Sequence, residues 1–126
     1  MAGDETMTIT LLSIFRRRDG MTHDEFVEYY ERSHRVIGEK VLSGYATRYV
    51  RRFLTPVGRE DDGSERDVVM EIDFPSEAVM EAFFASIRDD EAVAEEIRID
   101  EDKLFDRATM KVYYVDERES ALPAVG

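Results

Sequence analysis

The sequence predicts an α+β domain in the order strand, helix, strand, strand, helix, strand. Three observations carry that prediction. Short β-branched or alternating segments mark the strands, apolar residues at three-to-four spacing behind two capping signatures mark the helices, and 126 residues give room for one domain. The expected domain spans 1–126, with a core from about 8 to 116 and short loose tails.

The first strand is Thr8-Ile-Thr-Leu-Leu-Ser-Ile-Phe15, apolar on both faces and therefore covered on both. Arg16 to Gly20 reads as a charged turn. Thr22-His-Asp-Glu25 has the spacing of a capping box, and Phe26, Tyr30, Ile37 and Val41 continue one stripe of a helix from about Thr22 to Leu42, with Gly44 ending it. Tyr45 to Leu54 suits a second strand, with Tyr49 and Phe53 on one face and Ala46 and Val50 on the other, each mixed with Arg. Thr55 to Arg66 holds Pro56, Gly58 and Gly63 and is expected to be a solvated hairpin loop without fixed structure. Asp67 to Phe74 alternates as a half-buried strand. Pro75-Ser76 then starts a second helix with the stripe Val79, Met80, Phe83, Phe84 and Ile87. Ala92, Val93 and Ile97 add a helical turn or two. Thr109 to Val115 is the last strand, and Arg118 to Gly126 a loose tail.

With right-handed crossovers this order gives a four-stranded antiparallel sheet with both helices on one face, the ferredoxin-like arrangement. The other face lacks a cover yet carries apolar residues, so two copies are expected to pack sheet to sheet as a homodimer.

Composition narrows the function. With 29 acidic against 17 basic residues the net charge is −12, which disfavours nucleic acid and anionic membrane surfaces as partners. The excess is one-sided: residues 1–59 carry 10 basic and 8 acidic side chains, residues 60–126 carry 7 and 21. No apolar run is long enough to cross a bilayer, the first residues do not resemble a secretory leader, and the expected location is cytoplasmic. The absence of cysteine removes thiolate metal sites and thiol nucleophiles. No Gly-rich phosphate loop, dinucleotide fingerprint or nucleophile elbow is present, and His23 and His34 are too far apart to share a metal on one helix face. No metal and no cofactor are therefore expected.

What survives is one histidine and several tyrosines. His23 lies in the first helical turn and is expected to be exposed. His34 shares the sheet-facing stripe of Phe26 and Tyr30, where an imidazole is either a core histidine held by one partner or a group lining a pocket. Tyr30, Tyr45 and Tyr49 could hold a substrate oxygen or simply pack. Arg48, Arg51 and Arg52 could pair with Glu71 and Asp73 across the strands, or meet a substrate carboxylate.

Phe15-Arg-Arg-Arg-Asp-Gly-Met-Thr22 followed by Phe26-x-x-Tyr-Tyr-x-x-x-His34 resembles the EthD-domain family of dimeric α+β-barrel proteins. Arg48-Tyr-Val-Arg51, Asp67-Val-Val-Met-Glu71 with Phe74-Pro-Ser76, and Asp100 to Asp106 are similar to later segments of that family, so the likeness runs from about residue 8 to 116. The family's usual Trp is Tyr30 here, and its His-His-Ala-Pro run is Ser33-His34-Arg35-Val36. The resemblance implies the ferredoxin-like fold, the sheet-to-sheet dimer, a pocket between sheet and helices, and a functional His34. It implies a cofactor-independent enzyme acting on a hydrophobic, oxygenated molecule, polyketide-like or aromatic, as a lyase, dehydratase or isomerase. A cofactor-free monooxygenase and a non-catalytic small-molecule-binding protein are the alternatives. The expected site has His34, Tyr30 and Tyr49 in proton transfer, with Tyr45, Arg48, Glu71 and Phe83 contacting substrate.

Overall fold

The computed structural model describes residues 7–125. Four strands, β1 (Ile9–Arg17), β2 (Arg48–Phe53), β3 (Val68–Phe74) and β4 (Phe105–Tyr114), form one antiparallel sheet in the order β2-β3-β1-β4. The helices are α1 (His23–Tyr29), a π-helical segment (Tyr30–His34), α2 (Arg35–Leu42), α3 (Glu77–Arg88) and α4 (Glu91–Leu104). This is the ferredoxin-like arrangement expected from the element order.

Period-two alternation sorts the sheet into two faces. Leu11, Ser13 and Phe15 of β1 are in register with Ile72, Met70 and Val68 of β3, which face Tyr49, Arg51 and Phe53 of β2. This face meets the helices. Two buried clusters hold it, one of Leu11, Leu42, Ile72, Phe74, Met80 and Phe83, the other of Phe15, Phe26, Tyr30, Val68, Leu104 and Phe105. The opposite face carries Leu12, Ile14, Val50 and Val69 among Arg48, Arg52, Glu71 and Asp73.

Several boundaries differ from expectation, each for a physical reason. β1 runs on through Arg16 and Arg17 because their charges are matched: Arg16 pairs with Asp106, and Arg17 Nη1 donates to buried Asp67 at 2.7 Å and to Asp61 at 2.8 Å. The latter bond ties the connection between β2 and β3 back to the sheet. His23 is not exposed as expected but half-buried, its Nδ1 2.8 Å from Asp67. The capping box forms as predicted, Thr22 Oγ1 accepting from Glu25 N and Glu25 accepting from Thr22 N. The helix it opens is interrupted, however, by the π segment.

The largest departure is α4, which has 14 residues where a turn or two is expected. Its inner positions are Val93, Ile97, Asp100 and Leu104, a regular helical spacing with an acid in one apolar slot. Asp90 caps it by accepting from Val93 N. β4 begins four residues earlier than expected, at Phe105, whose ring stacks on Phe15 at 4.1 Å beyond a register shift in β1. The segment after Val115 is exposed and without regular structure; the expected N-terminal tail lies mostly outside the described residues. Among the described residues no helix is long and apolar enough to cross a membrane.

Candidate functional site

The site begins with the irregularity in the first helical stretch. The Arg35 N–H donates to Tyr30 O, a five-residue closure that replaces the ordinary four-residue one. The extra residue per turn stacks Tyr30 and His34 along the inner face, with ring centroids 4.7 Å apart and planes at 74°. Phe105 closes the other side of the imidazole at 5.2 Å.

His34 is buried, and its Nδ1 lies 2.6 Å from Asp100 Oδ2. The other carboxylate oxygen, Oδ1, accepts from Tyr29 Oη at 2.8 Å and from Ser33 Oγ at 2.9 Å. Three donors from two adjacent turns thus converge on the acid that α4 carries in its apolar stripe. Burial pushes the Asp100 carboxyl up, but the bonds from His34, Tyr29 and Ser33 outweigh it and leave the group below its ordinary value. An ionised Asp100 can only accept, so Nδ1 carries the hydrogen and Nε2 is the nitrogen left for chemistry. Among the described residues Nε2 makes no hydrogen bond.

The ring of His34 forms part of the wall of a cavity of about 280 Å³ between the sheet and helices α2, α3 and α4. Its floor is Leu11, Ser13, Met70 and Ile72, and Phe83 and Phe84 bound it from α3. Ser13 matters by being small: it sits between Leu11 and Phe15 where a larger residue would occupy the space. Apart from Ser13, the polar side chains on the wall are His34, Tyr49 and Glu101. Burial raises the Glu101 carboxyl above its ordinary value, against the opposing pull of His34 and Arg107.

Tyr49 reaches the cavity because Gly38 lies opposite. A Cβ at position 38 would stand 2.9 Å from Tyr49 Oη and 3.1 Å from two ring carbons. The Tyr49 phenol is raised chiefly by burial and neighbours that of Tyr30. Tyr30 is fully buried, its hydroxyl lacks a well-formed hydrogen bond, and burial with the adjacent Tyr49 phenol drives it far above its ordinary value. Arg51 crosses the Tyr49 ring at 5.1 Å and is engaged by Glu31 through two bonds of 2.9 and 2.7 Å.

Of the residues singled out from the sequence, His34, Tyr49 and Phe83 therefore meet at one cavity. Tyr30 stands behind its wall against His34 and Tyr49. Tyr45 packs on Phe83 at 5.8 Å and does not line the cavity. Arg48 and Glu71 are on the opposite face of the sheet, where Glu71 accepts from Arg52 at 2.9 Å and stands 3.8 Å from Arg48. Their alternation with Tyr49 and Met70 puts them there, so neither can touch a molecule in this cavity. Arg51, expected to pair across the strands, pairs instead with Glu31 of the π segment. Sequence reasoning missed Asp100, Glu101, Gly38 and Ser13. Asp100 alone left a signal, as the acid completing the spacing Val93, Ile97, Leu104. Among the described residues no three His, Asp or Glu side chains are grouped to hold a metal ion.

A ferredoxin-like α+β domain with a ligand-sized apolar cavity between sheet and helices, and one histidine fixed in the cavity wall, is the class these features define. Residues 18–108 match the EthD domain, and the chain belongs to that family. An EthD family protein from Bacillus halodurans superposes with a TM-score of 0.62 at 11% identity, over 89% of this chain and 100% of that one. A dimeric ferredoxin-like protein of unknown function from Thermobifida fusca gives 0.57 at 15%, over 88% and 92%. SnoaB, a cofactor-independent oxygenase from Streptomyces nogalater, gives 0.53 at 11%, over 90% and 95%. At such identities the likeness establishes the fold. No curated protein matches the chain.

Proposed function

We propose that the protein is a cofactor-independent enzyme that uses His34 as a general acid/base on a hydrophobic, oxygenated molecule, polyketide-like or aromatic, in lyase, dehydratase or isomerase chemistry. The observation that carries this reading is the 2.6 Å contact between His34 Nδ1 and buried Asp100 in a ring that also walls an apolar cavity. A histidine serving only the core needs one partner and no cavity. Here the carboxylate fixes the tautomer, so that Nε2 is basic and can take a proton from carbon or oxygen and return it elsewhere. Asp100 acts as a positioning residue and is not itself protonated. Tyr49 is the phenol available to hold an enol or carbonyl oxygen, with Tyr30 behind it. The cavity takes one small molecule, and its walls are mostly apolar.

His34→Ala is expected to reduce turnover by about 10²–10⁴-fold, the usual worth of a positioned acid/base. The measurement is a screen of uncharged oxygenated aromatics without added cofactor, comparing wild type with this variant. Full turnover in the variant would overturn the reading. The likeness to a cofactor-independent oxygenase supports a second reading, in which an electron-rich phenol bound at Tyr49 reacts with oxygen. Oxygen uptake that tracks substrate loss separates the two.

The expected homodimer belongs to the same proposal. Leu12, Ile14, Val50 and Val69 give the uncovered sheet face an apolar centre ringed by paired charges, and the Thermobifida fusca neighbour is dimeric. Two copies joined by this face would leave each cavity, on the helix side, unobstructed.

A further inference from the structure

Resting on the reading that the cavity binds a small molecule, we infer that it selects uncharged molecules and rejects carboxylates and phosphates, with Glu101 as the selecting residue. The cavity wall includes no Lys or Arg, and its one carboxylate, Glu101, follows Asp100 directly in α4. The charged groups around the imidazole come from every element packed there. From α4 these are Asp100, at 2.6 Å from Nδ1, and Glu101. From β4, Arg107 reaches Glu101 at 3.4 Å and also serves Asp102 at 3.2 Å, on the solvent side. From β2, Arg51 is held by both oxygens of Glu31. Even a protonated His34 would share its charge with Asp100 at 2.6 Å, and Glu101 lies on the same cavity wall.

An anion entering this cavity would lose its hydration and find no cationic partner on the wall, and a carboxylate would also meet Glu101. Such uncompensated burial is among the most unfavourable events in recognition. An uncharged molecule escapes both penalties: its carbonyl can accept from Tyr49 Oη, and its hydroxyl can donate to His34 Nε2. A cation would find Glu101, already shared with Arg107, the bare Nε2 and the rings of Phe83 and Phe84, a weaker exchange for its hydration than the loss it suffers. Chemistry that starts from a free carboxylate, such as decarboxylation, is disfavoured by the same argument.

The test uses isosteres that differ in charge: 2-naphthamide, 2-naphthoate and 2-naphthylmethylamine, with the benzene analogues for a smaller volume. Binding to the full chain is measured by calorimetry at pH 7.5. The amide of the better-fitting ring is expected to bind at least tenfold more tightly than its carboxylate and more tightly than the amine. Glu101→Gln is expected to narrow the amide-to-carboxylate ratio at least threefold. Ser13→Leu, which fills the floor, is expected to abolish amide binding and so place it in the cavity. A carboxylate or amine that binds as tightly as the amide overturns the inference while leaving the cavity a ligand site. Failure of every probe to bind overturns the ligand-site reading, and the inference with it.

Discussion

At the scale of single residues, the site is a set of buried polar groups whose cost to stability differs in sign. Asp100 has its carboxyl held low, so it stabilises the fold above the ordinary carboxylate range and that contribution is lost as pH falls through its folded value. Asp100→Asn is expected to remove this acid-side dependence in a series of thermal melts from pH 7 to pH 3. Glu101 is held high, so it favours folding at low pH and loses that contribution as pH rises. Glu101→Gln should therefore raise Tm at pH 7.5 more than at pH 4; the reverse order would show that the Arg107 contact dominates. The orphaned Tyr30 hydroxyl is a further liability, since a buried unsatisfied polar group costs about 1–3 kcal/mol. Tyr30→Phe is expected to match or exceed wild type in Tm; a clear loss would show that the hydroxyl is bonded to Tyr49. His34 was legible in the sequence because a stripe at helical spacing contained one titratable ring. Its partner was not, because an acid in the slot between Ile97 and Leu104 reads as a break in the apolar pattern rather than as its centre.

At the scale of elements, the π segment is what the sequence concealed. Spacing alone makes Phe26, Tyr30 and His34 one stripe, and a π turn alters that stripe by a single hydrogen bond, Arg35 N–H to Tyr30 O. Nothing in Tyr-Glu-Arg-Ser-His announces it; in the fold the segment packs against Asp100 and Phe105 of neighbouring elements. Deleting exposed Arg32 is expected to restore an uninterrupted α-helix by circular dichroism while rotating Tyr30 or His34 out of place, with loss of the His34–Asp100 contact. Gly38 shows the converse dependence of a strand on a helix. Gly38→Ala would press its methyl against Tyr49 and is expected to lose turnover, and adding Tyr49→Leu should recover stability without activity. The N-terminal cap behaves as the sequence spacing says, and Thr22→Ala should cost about 1 kcal/mol in denaturant melts. Strand alternation was equally legible, and it separates Tyr49 from Arg48. With Tyr49 facing the helices, period two alone puts Arg48 and Glu71 on the opposite face.

At the scale of the whole molecule, the sheet divides labour between its faces. The helix side encloses the cavity and its one histidine, and the other side presents Leu12, Ile14, Val50 and Val69. Light scattering at micromolar concentration is expected to give a dimeric mass, and Ile14→Glu a monomer that keeps its far-ultraviolet spectrum. A monomeric wild type would refute the sheet-to-sheet pairing without touching the site. The proposed function depends on one arrangement: His34 presents an available Nε2 to the cavity because Asp100 holds Nδ1. Long-range ¹H–¹⁵N correlation spectra of the imidazole, recorded with and without a bound uncharged aromatic, test it most directly. A protonated Nδ1 and a bare Nε2 whose shift moves on ligand binding are expected, with an altered pattern in Asp100→Asn. A hydrogen on Nε2 instead, or an Nε2 signal indifferent to a ligand shown to bind, would contradict it.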